Sequence, residues 1–292
     1  MEKILKALER SQHEQVAGAV RSGIAEAVPF PNAPQTPHPY ADKPQPAQQH
    51  AKPGHAEAPR PIRRTRVERV SERVLAANRL VAAVDGHPLG DTFRVLRTRV
   101  LQQLDDYGFS TLMVASPSPG EGKSTLAANL AISIAKLSAR HVLLVDADLR
   151  RPRIHKLFGV GGTPGLSEYL GGHAAIDSCL VSPGIDRLVL LPAGRIARQS
   201  SELLANHRMA ALADELKARY PDRVVIYDAP PLLASDDALI FGSYVDCGLL
   251  VAAEARTKTA DLEKTFELMN GVPIIGTVLN RSSDTPEKYE RS

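Results

Sequence analysis

Residues 115–125 read Ala115-Ser-Pro-Ser-Pro-Gly120-Glu121-Gly122-Lys123-Ser124-Thr125. They follow the apolar run Thr111 to Ala115 and open a segment, Lys123 to Ser138, whose apolar residues return at three and four positions. A strand that passes through a glycine turn into a helix aims several backbone N–H groups at one spot, and that spot suits a phosphate group. Gly120 and Gly122 let the backbone approach the anion, with Glu121 and Thr125 completing the loop. Lys123 can reach the outer phosphates of a nucleotide, and the Ser124 hydroxyl can ligate magnesium. The strict phosphate-loop pattern begins with Gly, where this chain has Pro117.

Two further apolar runs end in carboxylates. Val142-Leu-Leu-Val-Asp146-Ala-Asp148-Leu-Arg150 delivers two of them one residue apart, and Val224-Val-Ile-Tyr-Asp228-Ala-Pro-Pro delivers one more. Beside a triphosphate, such groups can hold magnesium directly or through water, and one can take a proton from an attacking hydroxyl. Short apolar runs are how buried parallel strands read, and others lie at Arg187 to Leu191, Gly248 to Ala252 and Ile274 to Leu279. Helical periodicity at Lys123 to Ser138, Ser201 to Tyr220 and Thr257 to Met269 separates several of them. The expected fold is therefore α/β, a doubly wound and mostly parallel sheet with helices on both faces, carrying its ligand at the carboxyl ends of the strands.

Composition sets the class. The chain has 292 residues, 43% hydrophobic and 24% charged, as expected of a globular protein. No run approaches a membrane span, and the first ten residues lack the apolar core of a secretory signal, so the expected location is cytoplasmic. Cys179 and Cys247 have no CxxC spacing and read as reduced core thiols. Residues 1–28 begin with Ile4, Leu5 and Leu8 on one face of a short amphipathic segment. Residues 29–66 form a linker, with 10 prolines between Pro29 and Pro61. A helical pattern is expected from about Val67 to Val84, and the main domain over 67–281. The basic run from Arg60 to Arg79 contains no aromatic residue to stack on bases, so no nucleic-acid partner is expected.

The three motifs together resemble those of bacterial tyrosine kinases, the capsule and exopolysaccharide autokinases of the CpsD/CapB type. The similarity runs over about residues 86–281 and includes Leu191-Pro-Ala-Gly194, Ser201-Glu-Leu-Leu204 and Gly276-Thr-Val-Leu-Asn280. Met1 to Arg10 resembles the opening of free-standing autokinases from exosortase-linked loci. The resemblance implies a P-loop NTPase fold, ATP and Mg2+ as cofactors, and Lys123, Asp146 and Asp148 as the catalytic group, with Asp146 as the base. It implies Ser124, Asp148 and Asp228 around the metal, and Asn280 against adenine. Asp91-Thr-Phe-Arg94-Val-Leu-Arg97 stands where that family has a Glu-x-x-Arg-x-x-Arg helix that packs subunit on subunit, which implies a homo-oligomer. The family also implies a membrane polysaccharide copolymerase as activating partner, recruiting the kinase to the inner face of the membrane. Where it carries a cluster of acceptor tyrosines, residues 282–292 offer Tyr289 alone.

Two other readings share the magnesium-ATP site: a MinD/ParA-like ATPase switch, and a nucleotide-gated adaptor without tyrosine transfer. The first normally has Lys where this chain has Ser118. A GTPase would need Asn-Lys-x-Asp, and Asn280-Arg-Ser-Ser283 lacks the Asp.

Overall fold

The computed structural model describes residues 65–137, 139–218 and 223–283. The amphipathic start, the proline-rich stretch up to residue 64, Tyr40 and Tyr289 lie outside the described residues.

The strands are β1 (Arg66–Val67), β2 (Thr111–Ala115), β3 (His141–Asp146), β4 (Val181–Ser182), β5 (Leu188–Leu191), β6 (Arg223–Asp228), β7 (Cys247–Ala253) and β8 (Ile274–Asn280). They form one sheet in the order β1-β4-β5-β3-β6-β2-β7-β8. Only the β4–β5 pair is antiparallel. The first helices are α1 (Glu72–Ala77), α2 (Gly90–Tyr107), α3 (Lys123–Leu137), α4 (Ile154–Phe158), α5 (Leu166–Leu170) and α6 (Ile176–Cys179). The later ones are α7 (Ser200–Leu204), α8 (His207–Ala218), α9 (Asp237–Gly242) and α10 (Thr259–Leu268).

Side-chain alternation along each central strand explains why the apolar runs are unbroken. Leu112 and Val114 of β2, Val142 and Leu144 of β3, and Val224 and Ile226 of β6 face one core, together with α3 and with Val100 and Leu104 of α2. Met113, Leu143, Val145, Val225 and Tyr227 face the other, against Leu212 of α8 and Phe241 of α9. A strand covered on both sides has no polar position to offer, so period-two patterning disappears. Helix α3 packs closely because small residues, Ala127, Ala128, Ala131 and Ala135, are buried along with Leu130 and Ile134.

Two expected elements are redrawn, and one strand forms where none was expected. The helix expected over Val67 to Val84 is a short strand, α1 and a 3-10 turn at Val81–Ala83, because Arg66 and Val67 pair with Val181 and Ser182 at the sheet edge. The helix expected from Ser201 breaks after Leu204, where the Asn206 side chain accepts the N–H groups of Arg208 and Met209 and starts α8 afresh. The strand β4 is set by pairing across the sheet, not by its own two residues. Among the described residues no helix is long and apolar enough to cross a membrane.

Candidate nucleotide site

Register brings the motifs together. Asp146 of β3 lies opposite Asp228 of β6, and Asp228 lies opposite Val114 of β2, so the loop after Ala115 begins beside both carboxylates. The loop reaches α3 at Lys123, and no acidic residue occupies the first turn of that helix. Its free N–H groups and the helix dipole favour an anion there.

Lys123 turns back into the acidic cluster. Its Nζ donates to Asp148 Oδ2 at 3.3 Å and to Asp228 Oδ1 at 3.2 Å, and all three side chains are buried. Burial alone would lower the Lys123 pKa, but the charges of Asp228, Asp148 and Asp146 outweigh it and hold the ammonium above its ordinary value. Two of the carboxylates are raised as well, which for them favours the neutral form. Burial, followed by the charge of Asp228, pushes Asp146 up to about 7. Burial also raises Asp228, despite Lys123 and a hydrogen bond from Ser124.

The carboxylates differ in how they are held. Asp146 Oδ2 accepts the N–H groups of Arg153 and Ile154, both at 2.9 Å, and thereby fixes the turn into α4. Its Oδ1 accepts the Asp148 N–H at 3.3 Å. Asp148 Oδ1 accepts the Arg151 N–H at 2.9 Å. Asp228 Oδ2 is buried with no hydrogen-bond partner. An orphaned carboxylate oxygen beside a lysine, a serine hydroxyl and an anion-binding loop fits a hydrated divalent cation arriving with a phosphate. Ser124, Asp148 and Asp228 are the residues that could hold it, and Asp146 stands behind them.

The opposite side of the loop is tied down. Gly120 and Gly122 take φ values of 81° and 103°, which only glycine adopts readily. The Glu121 carboxylate is buried: Oε2 accepts the Ser118 N–H at 2.9 Å and Oε1 accepts the Thr257 hydroxyl at 2.5 Å. Asn280 Nδ2 donates to the Glu121 carbonyl at 2.8 Å, while its Oδ1 accepts the Arg281 N–H. The Glu121 carboxylate is thus spent within the protein, which leaves only its backbone for a ligand, and Asn280 is engaged with the loop. Arg256 and Arg281 donate to the carbonyls of Pro119 and Gly120 at 3.0 and 2.8 Å. On the β6 side, Leu232 and Leu233 N–H groups donate to the carbonyls of Ser116 and Pro117. With these carbonyls bonded outward and the Ser118 N–H held by Glu121, the N–H groups of Gly120 to Thr125 are left for a ligand.

Sequence reasoning missed Thr257, Arg256 and Arg281, which carry no motif. It also missed an ion network at the rim. Arg150 Nε donates to Ser200 Oγ at 2.7 Å and Asp237 Oδ2 at 2.9 Å, and the Ser200 and Ser201 hydroxyls donate to Asp237 at 2.7 and 2.6 Å. Burial works to raise Asp237, but these donors hold its carboxyl below the ordinary range. The quoted Ser201-Glu-Leu-Leu segment was the available signal.

Away from the site, Asp91 and Arg94 form an exposed ion pair at 2.9 Å on α2. Arg97 Nη1 is buried without a partner, and burial, then Arg94, lowers its pKa.

A family model for the CobQ/CobB/MinD/ParA nucleotide binding domain matches residues 112–291. The tyrosine-protein kinase YwqD of Bacillus subtilis is 34% identical over 192 residues, which cover 65% of this chain and 80% of that protein. The tyrosine-protein kinase wzc of Salmonella typhimurium is also 34% identical over 192 residues, but these cover 65% of this chain and 26% of that longer protein. Against the latter, then, the chain matches only about a quarter of the relative's length. The kinase domain of the Escherichia coli tyrosine kinase ETK superposes with a TM-score of 0.64 at 30% identity, covering 75% of this chain and 91% of that chain. A nucleotide-binding loop facing paired Asp146 and Asp228, on a sheet shared with these enzymes, places the chain in the bacterial tyrosine kinase family.

Proposed function

We propose that the protein is a cytoplasmic, Mg-ATP-dependent tyrosine autokinase that phosphorylates Tyr289 of a neighbouring copy and regulates capsule or exopolysaccharide synthesis with a membrane copolymerase partner. The observation that carries this reading is the Lys123 ammonium held between Asp148 and Asp228 at the mouth of an anion-binding loop, with one Asp228 oxygen unpartnered.

In this reading the N–H groups of Gly120 to Thr125 bind the β phosphate. Lys123 leaves the carboxylates for the β and γ oxygens, where its charge stabilises the transferring group. Ser124, Asp148 and Asp228 hold magnesium, which supplies charge neutralisation at the phosphates. Asp146, whose carboxyl sits at about 7, is matched to accepting the tyrosine proton near neutral pH. It has no exposed surface, so its access to a hydroxyl depends on the departure of Lys123. Asn280, at the end of β8 and bonded to the Glu121 carbonyl, borders the loop where adenine would lie. Asp91, Arg94 and Arg97 supply the contact between copies, and the unpartnered Arg97 Nη1 supports that role.

A mixing experiment tests the whole reading. Lys123→Met copies, which retain Tyr289, are incubated with Tyr289→Phe copies, which retain the active site, together with Mg-ATP and the copolymerase. Phosphate on Tyr289 of the Lys123→Met copies is the expected result. ATP consumption with no labelled tyrosine would instead support an ATPase switch.

A further inference from the structure

We propose that Thr257 and Asn280 are positioning residues for nucleotide binding, acting through Glu121 rather than through the ligand. The proposal rests on the nucleotide-loop assignment and adds how that loop is held in shape.

Glu121 sits between the two glycines of the turn and is gripped at both ends. Its carboxylate accepts the Thr257 hydroxyl at 2.5 Å, and its carbonyl accepts Asn280 Nδ2 at 2.8 Å. Thr257 is itself fixed, because its Oγ1 accepts the Ala253 N–H of β7 at 2.8 Å. Asn280 is the last residue of β8. The turn that follows β7 and the end of β8, 136 and 159 residues from Glu121 in sequence, therefore set the loop.

The grip bears on two features of the phosphate loop. Glu121 lies in the phosphate loop with its carboxylate buried, where a negative charge turned toward the ligand would repel it; the Thr257 and Ser118 donors keep that carboxylate on the outer side. The position after it accepts only glycine, since a Cβ on residue 122 would lie 2.0 Å from Asn280 Nδ2, in addition to the positive φ. The loop contains Pro117 and Pro119, which have no N–H to spend on internal bonds, so bonds from outside add to the few it makes within itself.

Thr257→Val removes one hydroxyl and leaves two buried groups, Glu121 Oε1 and the Ala253 N–H, without that partner. Calorimetric titration of the full chain with Mg-ADP should show affinity weakened about tenfold or more. Thr257→Ser, which keeps the hydroxyl, should stay within about threefold of wild type. Asn280→Asp preserves size but turns an oxygen toward the Glu121 carbonyl, and it should weaken affinity in the same direction. Thermal melting without nucleotide accompanies each variant. A lower melting temperature with unchanged Mg-ADP affinity in Thr257→Val would overturn the proposal, as would equal losses for Thr257→Ser and Thr257→Val. Should Thr257→Val fail to fold, wild-type affinity in Asn280→Asp would overturn it alone. Binding by the wild-type chain tests the nucleotide site itself, whereas the Val-against-Ser difference tests the grip.

Discussion

The two walls of the nucleotide loop are built on opposite principles. On the β3 and β6 side, Asp146, Asp148 and Asp228 crowd around one lysine, burial raises Asp146 and Asp228, and one oxygen has no partner. On the β7 and β8 side, Glu121, Thr257 and Asn280 satisfy one another with short hydrogen bonds. The first wall is electrostatically incomplete and gains from a cation and an anion that arrive together; the second is complete and serves as scaffold. Strain and unsatisfied charge gather where a ligand is to be bound, and the surrounding structure holds them in place.

The comparison can be broken most sharply at Lys123. Lys123→Met removes the cation around which the acidic wall is built, and magnesium-dependent ATP turnover, followed by phosphate release, should fall roughly a thousandfold. Turnover near the wild-type rate would place the chemistry elsewhere. Gly122→Ala attacks the scaffold wall by steric overlap with Asn280, and titration should show nucleotide affinity reduced on the order of a hundredfold. A milder loss would mean that Asn280 yields readily.

Smaller effects separate the walls by sign. Arg150→Ala deprives Asp237 of its cation, and denaturant unfolding should show a loss of about 1–2 kcal/mol, discounted because the Arg150 side chain is nearly half exposed. Asp237 has a lowered folded-state pKa, so its contribution is present above the ordinary carboxylate value of 3.8 and disappears as pH falls through the folded value. The difference between Arg150→Ala and wild type should therefore shrink in acid below about pH 4. Asp228 behaves oppositely. Its raised folded-state pKa means that it opposes folding as pH rises above the unfolded value. Asp228→Asn should raise the melting temperature of the nucleotide-free protein by about 2–4 °C while weakening magnesium-nucleotide binding. A lower melting temperature would show that the acidic wall is no less satisfied than the scaffold.

Sequence patterning conveyed the acidic wall far better than the scaffold. Asp146, Asp228 and Lys123 each end or begin an element with a strong local signature, and Asp148 follows Asp146 by two residues, because a doubly buried strand must be continuously apolar and a phosphate loop must carry its glycines and lysine in order. Thr257 and Asn280 meet Glu121 only after the chain has crossed the sheet, so no spacing reveals the contact. Likewise, the Arg150, Ser200 and Asp237 network joins three segments that local periodicity treats separately. The strands β1 and β4 at one end of the sheet, two residues each, exist through pairing across the sheet and leave no periodic trace. Asn280 illustrates the limit in one residue: the family resemblance singled it out, but its bond to the loop carbonyl is visible only in three dimensions.

The most direct measurement is mass spectrometry of phosphotyrosine in the full chain after incubation with Mg-ATP and the copolymerase, beside Lys123→Met. The account predicts phosphotyrosine in the wild-type chain and none in the variant. Equal labelling of both, or ATP hydrolysis by the wild-type chain with no tyrosine labelled, would contradict it.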